Sequence, residues 1–138
     1  AMFAADRAML DTSGVVLDEP AEKVFNAFCP GPITMIVDGP DEQTVGFRIP
    51  DHPLVLEILR QYGKPLASTS ANRSGEPNAL TAAEALAMLD GEPEIVVDEG
   101  AISSQAQAST VVQIKENSWN ILRPGPVSEA QILAVIKA

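Results

Sequence analysis

The segment ITMIVDGPDEQTVGFRI, residues 33–49, predicts two neighbouring strands and therefore a sheet. A run of strand length rich in apolar residues stands at each of its ends, and the polar sequence DGPDEQ between them is typical of a turn. Pro50 ends the second strand because proline cannot donate a main-chain hydrogen bond. The rigid turn around Pro30 marks where the first strand begins, and we expect that strand to be buried.

Helices are predicted on both sides of this pair of strands. Asp18 and Pro20 are typical of a helix start, and that helix should stop at Pro30. Pro53 begins a second helix and Gly63 ends it. The side chains expected to face inward are Val24, Phe25 and Phe28 in the first helix, and Val55, Ile58, Leu59 and Tyr62 in the second.

The remainder of the chain continues to alternate between strands and helices. Strands are predicted at PLASTS (65–70), EIVVDEG (94–100), STVVQI (109–114) and WNILR (119–123), the last two as a hairpin. Capping boxes at Thr81 and Ser128 predict two helices, the second with Ile132, Leu133 and Ile136 on its core face. This order predicts an α/β layered fold, a mixed sheet with flanking helices, in a single domain over residues 1–138.

Composition narrows the classes of function. Nine basic and nineteen acidic residues give a net charge of −10, which argues against broad binding to nucleic acid. One cysteine and one histidine exclude an internal disulfide and leave no plausible zinc cluster, a pattern that fits a reducing cytoplasm. No apolar run reaches the length of a membrane span, and the first residues lack the pattern of a signal peptide.

The loop KPLASTSANRSG, residues 64–75, is the strongest candidate for a binding site. Its hydroxyls, its amide and the flexible Gly75 could hold a phosphate or a carboxylate, although a simple Asx or Ser turn is the alternative. Arg48, Arg73 and Arg123 stand at or just beyond strand ends, where a guanidinium can grip an anion with two hydrogen bonds. Taken singly, each arginine is also explained as a solvated or ion-paired surface charge.

Three other residues have structural explanations that we prefer. His52 could be a general base, but its place between Asp51 and Pro53 favours a turn or helix-start role. Cys29 lacks an activating base nearby, and we interpret it as a packing residue. Trp119 is expected in an edge or core-facing strand rather than as a platform for a nucleobase.

Five segments together resemble the YrdC-like family, the threonylcarbamoyl-AMP synthases. They are PGPIT (30–34), VGFRIPDHP (45–53), KPLASTSANRSGEPN (64–78), STVV (109–112) and ILRPGPVS (121–128). Their order and spacing resemble the family over nearly the whole chain from about Phe25 onward. The resemblance implies a YrdC-like layered fold with a twisted mixed sheet, and synthesis of threonylcarbamoyl-AMP and pyrophosphate from L-threonine, bicarbonate and ATP. That product serves threonylcarbamoyladenosine modification of tRNA.

The resemblance also implies residue roles. It assigns ATP contacts to Thr44, Ser70, Asn72, Asn78 and Arg123, and L-threonine contacts to Arg48, Ser68 and Ser109. It requires no protein nucleophile, so no catalytic residue and no protein metal ligand is predicted. Mg²⁺ is expected to arrive with the nucleotide phosphates.

The sequence departs from the family pattern in its first two dozen residues. The family's Lys-x-Arg pair, which faces the nucleotide phosphates, is missing there, so the chain looks truncated at its N-terminus and turnover by this chain alone is in question. The alternative function is therefore a catalytically impaired paralogue that binds nucleotide or threonine, or a regulatory module. An exposed sheet edge would favour a homo-oligomer or a partner chain. The family is also described as binding RNA, which the acidic charge does not favour.

Overall fold

The computed structural model describes residues 1–103 and 106–138, which form a six-stranded mixed sheet with flanking helices. In chain order the elements are β1 Met2–Phe3, α1 Arg7–Asp11, α2 Glu19–Phe28, β2 Ile33–Asp38, β3 Thr44–Arg48, α3 Pro53–Tyr62, β4 Leu66–Ala67, α4 Ala82–Met88, β5 Thr110–Lys115, β6 Ser118–Arg123 and α5 Glu129–Lys137. The strand order is β4-β1-β3-β2-β5-β6, with β1/β3 and β2/β5 parallel and the other pairs antiparallel. The predicted α/β fold with a mixed sheet is confirmed.

The chain divides into two compact units. Ala1–Ser68 and Gln107–Ala138 form the first, which contains the whole sheet. Thr69–Ala106 form the second, which contains α4. The single domain over residues 1–138 stays a prediction.

One face of the sheet carries the hydrophobic core of the first unit. Side chains of β2 and β5 alternate strictly between buried and half-buried, as expected when helices cover only one face. Members of the core from the strands include Ile33, Met35, Val37, Phe47, Val112 and Ile114, and those from the helices include Leu10, Ala21, Val24, Phe25 and Ile132. The opposite face keeps polar and half-exposed side chains. We call it the open face, defined by Thr34, Ile36, Arg48, Val111 and Gln113.

Capping residues begin the helices where the sequence predicts. Asp18 Oδ1 accepts the N–H of Ala21 at 3.0 Å, and its Oδ2 accepts the N–H of Asn117 at 2.9 Å. One carboxylate therefore starts α2 and also fixes the β5–β6 turn, where Glu116 and Asn117 have φ values of 54° and 59°. The Ser128–Gln131 capping box is present in both directions. None of the helices in the described part of the chain is long and apolar enough to cross a membrane.

The structure corrects two predicted strands. Residues 94–100 form no strand within the described chain, and Ile95, Val96 and Val97 are 80%, 49% and 58% exposed. β-Branched residues favour a strand only where another strand pairs with them, and the described chain places none beside this segment. The predicted strand PLASTS is reduced to Leu66–Ala67, which lies exposed at the sheet edge beside β1.

Three helical residues expected in the core lie outside it. Ile58 is 39% exposed, Tyr62 is 58% exposed and Leu133 is 36% exposed. The inward stripe of α3 runs instead through Leu56 and Leu59, because residues three apart share one face of a helix. The capping box at Thr81 is also only half formed: Thr81 accepts from Glu84, but the Glu84 carboxylate accepts from the N–H of Leu80.

Candidate functional site

Strand pairing aligns two arginines and a threonine in one row across the open face. The β2/β3 register pairs Met35 with Phe47, so Thr34 and Arg48 are the next residues along the two strands. Thr34 pairs with Val111 of β5, and Val111 pairs with Arg123 of β6. The row therefore runs Arg48, Thr34, Val111, Arg123 over four adjacent strands. Residues far apart in sequence meet here because their strands end at the same edge.

Arg48 is fixed by the turn before β2. Its Nε donates to the carbonyl oxygen of Gly31 at 3.1 Å, and the side chain is half-buried. The Gly31 N–H in turn donates to the carbonyl oxygen of Ile49 at 2.9 Å. A Cβ on Gly31 would collide with the carbonyl oxygen of Phe28, so this approach requires glycine. The guanidinium thus has its Nε anchored, and its terminal nitrogens form no hydrogen bond with the part of the chain that the structure describes.

Arg123 binds the residue that precedes β5. Its Nε and one terminal nitrogen donate to the Ser109 carbonyl oxygen at 3.1 and 2.8 Å, and the same terminal nitrogen donates to Ser109 Oγ at 3.2 Å. The Ser109 hydroxyl also lies 2.7 Å from Thr34 Oγ1. Ser109 is only 6% exposed. Arg123, Ser109 and Thr34 therefore form one hydrogen-bonded chain at the end of the sheet.

The electrostatics of this site favour an anion. Burial lowers the pKa of Arg48 below its ordinary value, and the nearby positive charge of Arg123 lowers it further. Arg48 nevertheless stays protonated, because an arginine pKa lies far above neutral pH. Within residues 1–103 and 106–138, no ion pair with a carboxylate is formed by either arginine. Two neighbouring positive charges without counter-charges are a suitable place for a carboxylate or a phosphate.

The segment after β6 wraps around the start of β5. Thr110 Oγ1 donates to the carbonyl oxygen of Val127 at 2.8 Å and accepts the Val127 N–H at 3.0 Å. Between these contacts, Gly125 packs so closely that a Cβ would lie 2.5 Å from Thr110 N and 2.8 Å from the Ala108 carbonyl oxygen. The STVV and ILRPGPVS segments therefore pack against each other, and together they position Ser109.

Two further predicted residues lie in the first unit. Thr44 begins β3, pairs opposite Asp38 and is exposed. Ser68 follows β4 and exchanges two main-chain hydrogen bonds with Ala1, at 2.7 and 3.1 Å. The sheet register places both residues on the open face. Ser68 lies two positions from the row that contains Arg48, and Thr44 lies four positions from it.

Ser70, Asn72 and Asn78 belong to the second unit. There Asn72 braces its own loop, since its Nδ2 donates to the carbonyl oxygens of Arg73 and Glu76 at 3.1 and 2.9 Å. Its Oδ1 is buried without a hydrogen-bond partner among the described residues. Arg73 Nε donates to the Met88 carbonyl oxygen at 3.2 Å, and Ser70 and Asn78 are exposed. The assignment of the three residues as ATP contacts stays a prediction.

The preferred structural interpretations of other residues agree with the structure. His52 Nδ1 accepts the Val55 N–H at 3.3 Å and so begins α3. Burial raises the pKa of the Cys29 thiol to about 12, which suits a packing residue better than a nucleophile. Trp119 lies in the edge strand β6 and packs against the core.

Sequence reasoning missed Thr34, Thr110 and Gly125. Thr34 and Thr110 read as ordinary strand residues, and Gly125 reads as a turn residue. One signal was available for Thr34: it belongs to PGPIT, and its alternation with Ile33 and Met35 places it on the polar side of β2. Its neighbours across the sheet could be known only from the strand pairing.

Comparison with known proteins defines the family. The family model for Sua5, YciO and YrdC proteins, described as "Telomere recombination", matches residues 1–125. The chain therefore belongs to the Sua5/YciO/YrdC family, as the five segments predict. It is similar to a threonylcarbamoyl-AMP synthase of Bacillus subtilis (strain 168), with 35% identity over 142 residues, covering 96% of this chain and 41% of the Bacillus protein.

Solved structures confirm the fold. The crystal structure of P. abyssi Sua5 complexed with L-threonine matches 98% of this chain and 42% of its own, with a TM-score of 0.85 and 28% identity. E. coli YciO matches 91% of this chain and 65% of its own, with a TM-score of 0.78 and 21% identity, which shows the fold alone. The chain spans about two fifths of the length of the Bacillus and P. abyssi proteins.

Proposed function

We propose that the open-face site recognises the carboxylate of L-threonine and the phosphates of ATP, and that it serves the synthesis of threonylcarbamoyl-AMP and pyrophosphate from L-threonine, bicarbonate and ATP. The observation that carries this proposal is the pair of arginines, Arg48 and Arg123, which lie in one row across the open face, each bound to a main-chain carbonyl and without a carboxylate partner in the described chain.

The proposed L-threonine contacts are Arg48, Ser68 and Ser109. With its Nε anchored on Gly31, Arg48 can offer its terminal nitrogens to both oxygens of a carboxylate. Ser109 adds a hydroxyl that is almost shielded from water, where a hydrogen bond to an anion is strongest. Arg48 therefore supplies the positive charge that attracts the carboxylate, and the serine hydroxyls fix the orientation in which it binds.

The proposed ATP contacts in the first unit are Thr44 and Arg123. Adenylation places negative charge on the α-phosphoryl group and on the departing pyrophosphate, so a fixed guanidinium stabilises the transition state. The attacking group is the carboxylated amine of threonine, and the protein's task is to position it in line with the leaving group. No protein nucleophile takes part. Ser70, Asn72 and Asn78 are proposed as further ATP contacts on the family resemblance.

Mg²⁺ is proposed to be held by the nucleotide. No group of three or more His, Cys, Asp or Glu side chains converges in residues 1–103 and 106–138. Mg²⁺ keeps several waters and binds readily to phosphate oxygens, so it needs no protein cage. When bound, it would reduce the negative charge between the phosphates. The product is proposed to supply the threonylcarbamoyl group for tRNA modification.

Calorimetric titration with L-threonine and with ATP tests recognition. Arg48→Leu should weaken L-threonine binding about 10- to 100-fold, the value of a charge-assisted hydrogen bond. Arg60→Leu is the matched control, because it removes the same charge from an exposed position near the end of α3. Equal losses in both variants, or no binding of either ligand by the unchanged protein, would refute the site.

Pyrophosphate release tests the reaction itself. The assay contains ATP, L-threonine, bicarbonate and Mg²⁺, and turnover should be lost in Arg123→Leu and retained in Arg60→Leu. Binding of both ligands without pyrophosphate release would refute synthesis by this chain and leave a recognition module, the alternative function.

A further inference from the structure

Thr34 is the one polar member of the site that lies between the two arginines in the row across the sheet. Its Oγ1 lies 2.7 Å from Ser109 Oγ, a short hydrogen bond between side chains 75 residues apart. Thr34 is half-buried on β2, and the strand conformation directs its side chain to the open face. Core packing therefore does not explain a hydroxyl at this position, since Ile36, two residues on, fills the same face with an apolar side chain.

The hydrogens of the two hydroxyls can be counted. A hydroxyl offers one hydrogen and accepts up to two hydrogen bonds. Ser109 Oγ already accepts an N–H from Arg123 at 3.2 Å. One hydroxyl hydrogen is used between Thr34 and Ser109, so one hydrogen of the pair remains for a third group. The pair is thus a donor toward whatever occupies the site.

Either hydroxyl can be the donor in this hydrogen bond, and only donation by Thr34 leaves the remaining hydrogen on Ser109. If Thr34 donates to Ser109, both lone pairs of Ser109 Oγ are occupied, by Thr34 and by Arg123. Ser109 can then only donate, and two donors bonded to its oxygen make its own O–H a stronger donor. An acceptor that is also negatively charged is the natural partner beside Arg48 and Arg123.

We propose that Thr34 is a positioning residue that turns Ser109 into a committed hydrogen-bond donor toward the carboxylate of the amino-acid substrate. This inference rests on the proposed function, because it specifies how the same site recognises its L-threonine. The chain of donors runs from Thr34 Oγ1 to Ser109 Oγ to the carboxylate. Arg48 and Arg123 supply the positive charge on either side of it.

Calorimetry with L-threonine separates this role from simple packing. Thr34→Val keeps the shape and the strand preference of the side chain but removes its hydroxyl, and it should weaken L-threonine binding about 5- to 10-fold. Thr34→Ser returns the hydroxyl without the methyl group and should restore most of the affinity. If valine affects folding in urea unfolding, Thr34→Ala provides the same comparison with serine.

A double-mutant cycle provides the decisive readout. In a Ser109→Ala background, Thr34→Val should change L-threonine affinity less than about 2-fold, because the hydroxyl through which Thr34 acts is gone. 1-Amino-2-propanol, which lacks the whole carboxyl group and so offers Ser109 no acceptor there, should bind the unchanged protein and Thr34→Val equally. A purely structural threonine would instead give the same loss in both backgrounds and with both ligands.

The outcomes separate the two levels of the proposal. If the unchanged protein binds L-threonine but Thr34→Val binds it as tightly, the positioning role is overturned and the proposed function stands. If the losses from Thr34→Val and Ser109→Ala are additive, the positioning role is also overturned. If the unchanged protein binds no L-threonine, the proposed function fails and the inference fails with it.

Discussion

Replacing Thr110 with valine tests how the start of β5 is held. The Thr110 hydroxyl is fully buried, accepts the Val127 N–H at 3.0 Å and donates to the Val127 carbonyl oxygen at 2.8 Å. Valine has the same shape and suits a strand, but it leaves both main-chain groups of Val127 without this partner. Each buried polar group left unpaired costs roughly 1–3 kcal/mol, and the added methyl group regains about 0.8 kcal/mol.

We therefore expect Thr110→Val to lower the free energy of unfolding by about 3 kcal/mol, or the Tm by roughly 12 °C. Urea unfolding followed by circular dichroism measures the change. Thr110→Ser keeps both hydrogen bonds and should cost about 1 kcal/mol for the lost methyl group. Thr44→Val, at an exposed strand position, should stay within about 0.5 kcal/mol. A Thr110→Val protein as stable as Thr44→Val would refute the reasoning.

Three further predictions concern packing, charge and the thiol. Gly125→Ala should destabilise the protein by about 2 kcal/mol, because the new Cβ would lie 2.5 Å from Thr110 N. L-Threonine binding should weaken with it, and unchanged urea unfolding would contradict the close approach. The hydrogen bonds from Arg7 lower the pKa of Glu22 below its ordinary 4.5. The Arg7–Glu22 pair therefore stabilises the fold above pH 4.5, and this stabilisation is lost as the pH falls through the lowered pKa of Glu22. Glu22→Gln should therefore lower the free energy of unfolding in urea by up to about 1 kcal/mol near neutral pH and by almost nothing in strong acid. An equal loss at both pH values would show that the charge of Glu22 is not the source of the stabilisation. Burial raises the pKa of the Cys29 thiol to about 12. Alkylation of this thiol near neutral pH should therefore be at least ~10-fold slower in the folded protein than in the urea-unfolded protein. Equal rates would show an accessible thiolate in the folded protein.

Local patterns in the sequence predict most of the elements correctly. Asp18 and Ser128 begin α2 and α5 as expected, and the strands at residues 33–49 and the β5–β6 hairpin form where the sequence predicts them. These features depend on near neighbours: a side-chain oxygen three residues from the N–H it accepts, or apolar residues at a fixed period. The family could also be recognised, because its segments are continuous in sequence.

Predictions fail where burial depends on distant partners. Ile95, Val96 and Val97 have strong strand preference, yet the described chain gives them no neighbouring strand. Tyr62 recurs at helical spacing with Leu59, but the core covers only the narrower stripe that contains Leu56 and Leu59. Propensity and periodicity predict which face of a segment can be buried, but they do not predict which other element packs against that face.

The candidate site shows the same division. Arg48, Ser109 and Arg123 were predicted as site residues from the sequence, because the segments that resemble the family are short and continuous. Their arrangement was not, since strand register brings Arg48, Thr34 and Arg123 into one row and folds the segment around Gly125 against Thr110. Hydrogen bonds across 14 and 75 residues hold Ser109 in place. Side-chain chemistry is a property of each residue, whereas the single hydroxyl hydrogen left for a ligand arises only when strands distant in sequence pair.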